Sequence, residues 1–326
     1  MTDSLVGVVE DERPSNEFLS PRPGRSYRFI QPSSPPPEDA LDVDALFIWN
    51  VRSPFLRENW SGLHRLRWVH AGTAGVEWVL FPELVDSDVV VTNSRFVFDR
   101  ALAEYVIGMM LVLSKDFRTT FAHQAEHRWE QRESDTLDGK VVVVVGVGPI
   151  ARRTAQLATA LGMVVRGIGR TARTGDPDFG DIASPESIPA LLADADYVVM
   201  VLPNTPLTVG LVDAAALAAL KPTARLINVG RAATLDQDAL VRALRQGRLA
   251  AAALDVVSPE PLPPDSPLWD VPNLLISPHM SGDFGGWRSK IVELFERNLD
   301  SWLRGAPLLN VVDKRLGYAP GSPRGE

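Results

Sequence analysis

The sequence predicts an α/β protein with a doubly wound parallel sheet and a second, smaller domain. Three observations lead there. Six short apolar runs, Val141–Val145, Met163–Ile168, Tyr197–Leu202, Arg225–Val229, Ala251–Val256 and Leu274–Ser277, read as strands buried on both faces. Helical patterns separate most of them, the alternation that places helices over a parallel sheet. A glycine-bearing turn follows the first run and enters a helical segment at once, as doubly wound folds require.

The rest of the chain is consistent with this. Its 326 residues, 45% of them hydrophobic, suffice for two domains with substantial cores. Ahead of the six strands, Leu5–Val9, Tyr27–Ile30, Ala45–Trp49, Leu66–His70 and Val89–Thr92 are β-rich runs joined by proline-rich connectors. Pro32–Pro37 reads as a loop inside this region. From Val97 to about Phe121 the pattern is helical with a strongly apolar face, and Trp287–Leu303 reads as a long helix. The tail from Tyr318, "YAPGSPRGE", is expected to be disordered. The expected boundaries are a discontinuous domain over 1–102 and 284–326, and a dinucleotide-binding domain over 103–283.

Composition excludes several classes. A formal net charge of −8 argues against a general nucleic-acid or anionic-membrane binder. The absence of cysteine excludes disulfides, thiolate catalysis and Cys-ligated metal sites. Leu5–Val9 is followed by Glu10, Asp11 and Glu12, too short and too acidic for a signal peptide. Ala101–Leu113 contains Glu104 and falls short of a membrane span. A soluble cytoplasmic protein is expected.

Two segments share the G-x-G-x-x-A spacing. "GVGPIA" (146–151) follows five valines and precedes a helical segment ending at Gly162, the strand–turn–helix context of a dinucleotide fingerprint. Gly146 permits the tight turn, Gly148 lets the backbone approach a pyrophosphate, and Ala151 stands for the third glycine. Pro149 and Ile150 complete the turn, and the helix N-terminus offers free N–H groups to phosphate. Arg152 and Arg153 open this helix, either toward phosphate or as solvated positions. "GIGRTAR" (167–173) runs instead into Gly-, Asp- and Pro-rich sequence that forbids a helix. It is read as the end of the second strand, its glycines leaving room for an adenosine ribose. An NAD-binding chain usually carries an acid there, roughly 20 residues past the first glycine. Here the chain has Arg170, Thr171 and Arg173, groups suited to a 2′-phosphate, so NADP is the expected cofactor, with NAD possible.

Three later stretches point to the chemistry: "LINVGRAATLDQDAL" (226–240), "AALDVVSPEPLPPDSPLW" (252–269) and "ISPHMSG" (276–282). With "LPNTPLTVGL" (202–211), they resemble the D-isomer-specific 2-hydroxyacid dehydrogenase family, most nearly its glyoxylate/hydroxypyruvate reductases. The resemblance covers almost the whole chain and implies a flavodoxin-like fold for the smaller, substrate-binding domain. It carries catalytic roles to Arg231, Glu260 and His279. Imidazole titrates near neutral pH and suits a proton donor to the substrate C2 oxygen. A neighbouring carboxylate favours imidazolium. A guanidinium can grip a carboxylate or polarise a carbonyl. The resemblance also implies cofactor contacts from Leu202, Pro203, Thr208, Val229 and Gly230, and from Asp255 near the nicotinamide carboxamide. "HAGTAGVEW" (70–78) matches the family's substrate-carboxylate loop, with Ala74, Gly75 and Val76 as donors and Arg231 as partner. Glu77 stands where the family commonly has Asp, and Ala232 where it has Gly. The site is expected in a cleft between the domains, with a hinge closing over the nicotinamide. The apolar Ala101–Phe121 helix is expected at a homodimer interface.

The expected reaction is reduction of a small 2-oxo acid by NADPH to the D-2-hydroxy acid. The alternatives are a reductase of another oxo acid using NADH, and a non-enzymatic dinucleotide-sensing corepressor, since corepressors of this fold share the Arg–Glu–His set. His123 and His127 have a spacing that could pair metal ligands, but no third ligand is evident and a solvated helix face is preferred. His64 and His70 have no identifiable partner in the sequence. Trp49, Trp78 and Trp287 are candidates to line the substrate cleft.

Overall fold

The computed structural model describes Ser4–Glu10, Leu19, Arg25–Pro32, Pro36 and Glu38–Pro320. The chain divides into two compact units, Met1–Phe98 with Phe284–Glu326, and Asp99–Asp283. Among the described residues no helix is long and apolar enough to cross a membrane.

The first unit contains five strands, β1 (Ser4–Val9), β2 (Arg25–Ile30), β3 (Ala45–Ile48), β4 (Trp68–Ala71) and β5 (Val90–Asn93). They form one sheet in the order β2-β1-β3-β4-β5, every neighbouring pair parallel. Successive residues of a strand point to opposite faces, and β3 shows why both faces here are apolar. Phe47 packs with Val6, Val8 and Trp68 beneath the long helix, whereas Leu46 and Ile48 join Val69, Val91 and Leu84 on the other side. Short helices α1 (Phe55–Glu58) and α2 (Pro82–Asp86) belong to that second face. The long helix of this unit returns from the far end of the chain. The expected disorder from Tyr318 is partly overturned: Tyr318 bridges to Asp313, Ala319 is buried, and Arg95 donates to the Ala319 carbonyl. Residues 321–326 lie outside the described residues, as do Ser33–Pro35 and Pro37 of the proline-rich loop.

The second unit opens with α3 (Asp99–Ser114) and α4 (Phe117–Ala125) in place of one helix over 97–121. The break is at Asp116, which adopts a left-handed φ of 48° and caps α4 by accepting from Thr119 N. Asp tolerates that conformation better than most residues, and its carboxylate satisfies a helix-end N–H. The remaining elements are β6 (Val141–Val145), α5 (Pro149–Ala160), β7 (Val164–Ile168), β8 (Arg173–Asp176), β9 (Gly180–Ala183), α6 (Ile188–Leu192), β10 (Tyr197–Met200), α7 (Ala214–Ala218), β11 (Arg225–Asn228), α8 (Gln237–Arg245), β12 (Ala251–Leu254) and β13 (Leu274–Ile276). The last helix, α9 (Trp287–Leu303), belongs to the first unit and lays Ile291, Val292, Phe295 and Leu299 on its sheet.

The sheet of the second unit runs β13-β12-β11-β10-β6-β7-β9-β8, all parallel except the β8–β9 hairpin. All six expected strands are present, each ending at or slightly before its expected limit, and the hairpin extends the edge beyond β7. The direction of winding reverses at β6, which has β7 on one side and β10 on the other. Doubly wound sheets bind ligands at this switch point, beyond the carboxyl ends of the strands.

Candidate active site

The switch point is shaped by three glycines. Gly146 has φ 111°, and a Cβ there would lie 2.8 Å from the Val201 carbonyl oxygen just beyond β10. Gly230, after β11, approaches the same backbone: its Cβ would lie 2.6 Å from Leu202 N. Gly148, in contrast, faces open space, with no heavy atom within 4 Å of a Cβ built on it. It caps α5 in an extended conformation, and Pro149 opens the helix where a missing N–H costs nothing. An open backbone surface over a helix N-terminus fits the pyrophosphate of a dinucleotide. Ile150 follows in the first turn of α5, and Val229 is buried below Gly230. Thr208 closes the 203–208 loop: its hydroxyl donates to the Pro203 carbonyl at 2.6 Å and accepts from Thr205 N at 2.9 Å. Leu202 lines this loop and Pro203 is exposed on it.

The second glycine motif departs from expectation in one respect: the space its glycines leave is taken by protein side chains. A Cβ on Gly167 would lie 2.8 Å from the ring of Phe179, and one on Gly169 would lie 2.9 Å from Val147 and 3.0 Å from Ile182. Phe179 and Ile182 come from the β8–β9 hairpin, which therefore folds back onto β7. Arg170 and Thr171 are exposed at the β7–β8 connection. Arg173 reaches Asp176 at 3.1 Å. Arg152 donates two bonds to Asp176, at 2.9 and 2.7 Å, and a third to Asp178 at 2.6 Å. This bidentate pair occupies Arg152 with the hairpin, tying it to α5. The two bonds from Arg152 hold the Asp176 carboxyl well below the usual range, against the opposing effect of burial.

The expected catalytic residues stand on loops at the carboxyl ends of three adjacent strands: Arg231 after β11, Glu260 after β12 and His279 after β13. The structure brings His279 and Glu260 together, with Nδ1 2.9 Å from the Glu260 carboxylate. A carboxylate only accepts, so Nδ1 carries the hydrogen and Nε2 is the ring nitrogen left to act. Glu260 is itself held, its other oxygen accepting from Val257 N at 3.1 Å. Its loop is tied to α8 by a reciprocal pair, Gln237 Nε2 to the Ser258 carbonyl and Ser258 N to Gln237 Oε1, both 3.0 Å. Arg231 bonds its own chain, Nη1 donating to the Gly230 carbonyl at 2.8 Å, while Asn228 braces the turn by accepting from Gly230 N.

Asp255, expected near a nicotinamide carboxamide, is 1% exposed and engaged through both oxygens. Oδ1 accepts from the Ser277 hydroxyl at 2.6 Å and Met280 N at 2.9 Å; Oδ2 accepts from Ser281 N at 2.9 Å. Its own carbonyl accepts from His279 N at 2.9 Å. Asp255 thus fastens the loop that carries His279. Sequence reasoning missed this, and missed Tyr105, whose hydroxyl lies 2.5 Å from Ser277 Oγ.

In the first unit, the 71–76 loop has its carbonyls turned toward the protein. Thr73 O accepts from Ser94 N, Ala74 O from Asn93 Nδ2, Gly75 O from Thr73 Oγ1 and Val76 O from Val79 N. The N–H groups of Ala74, Gly75 and Val76 have no partner among the described residues. Consecutive free N–H groups are what an anion-binding loop requires. The strand that leads into the loop contains His70, for which the sequence identified no partner. It is fully buried, with Nδ1 2.7 Å from Thr92 Oγ1 and Nε2 3.3 Å from Ser94 Oγ. Trp68 Nε1 donates to Thr92 Oγ1, which frees the Thr92 hydrogen for Nδ1. Burial depresses the His70 imidazole to about 3, so it is neutral.

His127 lies beyond the end of α4 with φ 54°, so it does not share a helix face with His123. Trp49 stacks on Trp287 at 6.0 Å, and Trp78 is exposed beneath Arg52.

Residues 107–281 match the family model of the D-isomer specific 2-hydroxyacid dehydrogenase NAD binding domain. A glyoxylate/hydroxypyruvate reductase A of Serratia proteamaculans (strain 568) is 30% identical over 288 residues, 86% of this chain and 90% of that protein. The crystal structure of a D-isomer specific 2-hydroxyacid dehydrogenase from Xanthobacter autotrophicus Py2, in complex with NADPH and MES, is 30% identical with a TM-score of 0.80, covering 96% of this chain and 100% of that one. An NADPH-dependent glyoxylate/hydroxypyruvate reductase from Sinorhizobium meliloti, in complex with NADP and sulfate, is 27% identical with a TM-score of 0.80, covering 97% and 100%. The chain belongs to the D-isomer specific 2-hydroxyacid dehydrogenase family.

Proposed function

We propose that the protein reduces a small 2-oxo acid of the glyoxylate/hydroxypyruvate type to the D-2-hydroxy acid, with NADPH preferred over NADH. The observation that carries this reading is the His279–Glu260 pair, set on the two strand ends beside that of Arg231. When bound, the nicotinamide supplies a hydride to C2. His279, its Nδ1–H held by Glu260, presents Nε2 to the C2 oxygen and donates the proton that oxygen needs. Arg231 holds the substrate carboxylate or polarises the carbonyl with a permanent charge. The free N–H groups of Ala74, Gly75 and Val76 bind the carboxylate.

Arg170, Thr171 and Arg173 favour a 2′-phosphate, and the relatives in complex with NADPH or NADP support that preference. We also infer a homodimer: α4 buries none of its residues, and Phe117 and Phe121 stack on its exposed side. Light scattering after gel filtration measures that state directly.

Turnover of a dozen 2-oxo acids with NADH and with NADPH tests the reading. Glyoxylate or hydroxypyruvate reduced faster with NADPH supports it. Equal or better efficiency with NADH removes the cofactor preference. Tight cofactor binding with no turnover of any oxo acid replaces the enzyme with a dinucleotide sensor.

A further inference from the structure

The loop that carries His279 is held in a conformation it would not keep unaided. His279 has φ 54°, in the left-handed region that residues other than glycine rarely occupy. Such a residue persists only where its surroundings over-determine it. Here the surroundings are largely Asp255. Its carbonyl accepts from His279 N, and its carboxylate accepts from the two amides that follow, Met280 N and Ser281 N. The carboxylate has one further donor, the Ser277 hydroxyl at 2.6 Å.

That hydroxyl has a single hydrogen, and it is spent on Asp255. Its lone pair is therefore the acceptor in the 2.5 Å contact with Tyr105, and the phenol must be the donor. The direction is fixed along the whole line: Tyr105 O–H to Ser277 Oγ, Ser277 O–H to Asp255 Oδ1. Without the phenol, Ser277 Oγ keeps its bond to Asp255 but loses the donor that anchors it to α3. Tyr105 sits within α3, which packs against α5, so the line starts from a rigid helix. Burial raises the phenol above its ordinary range and keeps the hydrogen in place.

We propose that Tyr105 is a positioning residue for His279, acting through Ser277 and Asp255 on the main chain of the 277–281 loop. This rests on His279 being the proton donor of the proposed reaction. Tyr105 touches neither substrate nor cofactor in this assignment. It decides where Nε2 stands, and an error in that position costs rate far more than it costs affinity.

The test uses the full-length variants Tyr105→Phe, Ser277→Ala, Ser277→Thr and the Tyr105→Phe/Ser277→Ala double. Tyr105→Phe and Ser277→Ala should each lower kcat about ten-fold with KM for the oxo acid changed by less than about two-fold. Ser277→Thr, which keeps the hydroxyl, should retain kcat. The double variant should be no worse than either single, because the two groups act in series. A second readout needs no turnover: the His279 ring signal in proton–carbon NMR of the cofactor-free protein, identified by its loss in His279→Gln. It should move in Tyr105→Phe and Ser277→Ala and stay in place in Ser277→Thr. An unmoved His279 signal in Tyr105→Phe, or losses that multiply in the double variant, overturns the proposal. If the wild-type protein turns over no oxo acid, the proposed function fails instead, and the NMR readout still judges the Tyr105 line.

Discussion

His70 lies inside β4 and His279 on the loop after β13, and their surroundings give them opposite work. His279 is partly exposed and paired with a carboxylate through Nδ1, which leaves Nε2 for proton transfer. His279→Gln should lower kcat by about 10²–10⁴-fold, the usual range for a general acid, with a smaller change in cofactor affinity measured by fluorescence titration. His70 is sealed among Phe47, Trp68 and Phe295 and bonded to two hydroxyls. Its effect is on stability. The unfolded chain protonates this side chain below about 6.5, the folded protein only below about 3. Between those values the unfolded state binds the extra proton, so the His70 contribution is present above pH 6.5 and is lost as pH falls toward 3. Urea unfolding of wild type and His70→Gln at several pH values should show a steeper acid decline for wild type. The motifs made Glu260 and His279 legible, because both lie in short sequences whose order itself is informative. Tyr105 was not legible: a tyrosine on an apolar helix reads as core until Ser277 is seen beside it.

At the scale of elements, strands β6, β7, β10, β11, β12 and β13 were legible because burial on both faces leaves continuous apolar runs. The helix Trp287–Leu303 was legible from its period. The β8–β9 hairpin was not, since three of the four residues of β8 are exposed and no alternation marks it. What fixes it is long-range: Phe179 over Gly167, and Asp176 bound to Arg152 on α5. Gly167→Ala puts a methyl group 2.8 Å from the Phe179 ring and should destabilise the protein by about 1–3 kcal/mol in denaturant unfolding. The Asp176–Arg152 pair stabilises above the ordinary carboxylate range, and its contribution is lost as pH falls below about 4. At the tip of β7, Arg170→Ala should raise KM for NADPH about ten-fold or more and leave KM for NADH nearly unchanged, the loss expected for one charge-assisted phosphate contact. Equal effects on both cofactors would remove Arg170 from 2′-phosphate recognition.

At the scale of the whole molecule, the chain passes between its two units at Phe98–Asp99 and again at Asp283–Phe284. Each unit has its own core, so ligand effects on unfolding need not be shared. NADPH at about 100 times its Kd should stabilise the second unit by about 2.7 kcal/mol. Hydrogen exchange should show this protection concentrated in residues 99–283, where Gly146, Gly148 and α5 lie.

The return of α9 to the first sheet has a consequence for biosynthesis. The helix places Phe295 flat on Phe47, 4.3 Å between ring centroids, and stacked on Trp68 at 5.5 Å. The ribosome makes Phe47 and Trp68 early, and Phe295 leaves the exit tunnel only after the entire 99–283 segment has emerged. The second unit can therefore complete its fold on the nascent chain while the first still exposes one aromatic face to solvent and chaperones. Chains stalled with Asp283 clear of the exit tunnel should give a protease-resistant 99–283 fragment and a readily cleaved N-terminal segment, and emergence of Leu303 should protect both.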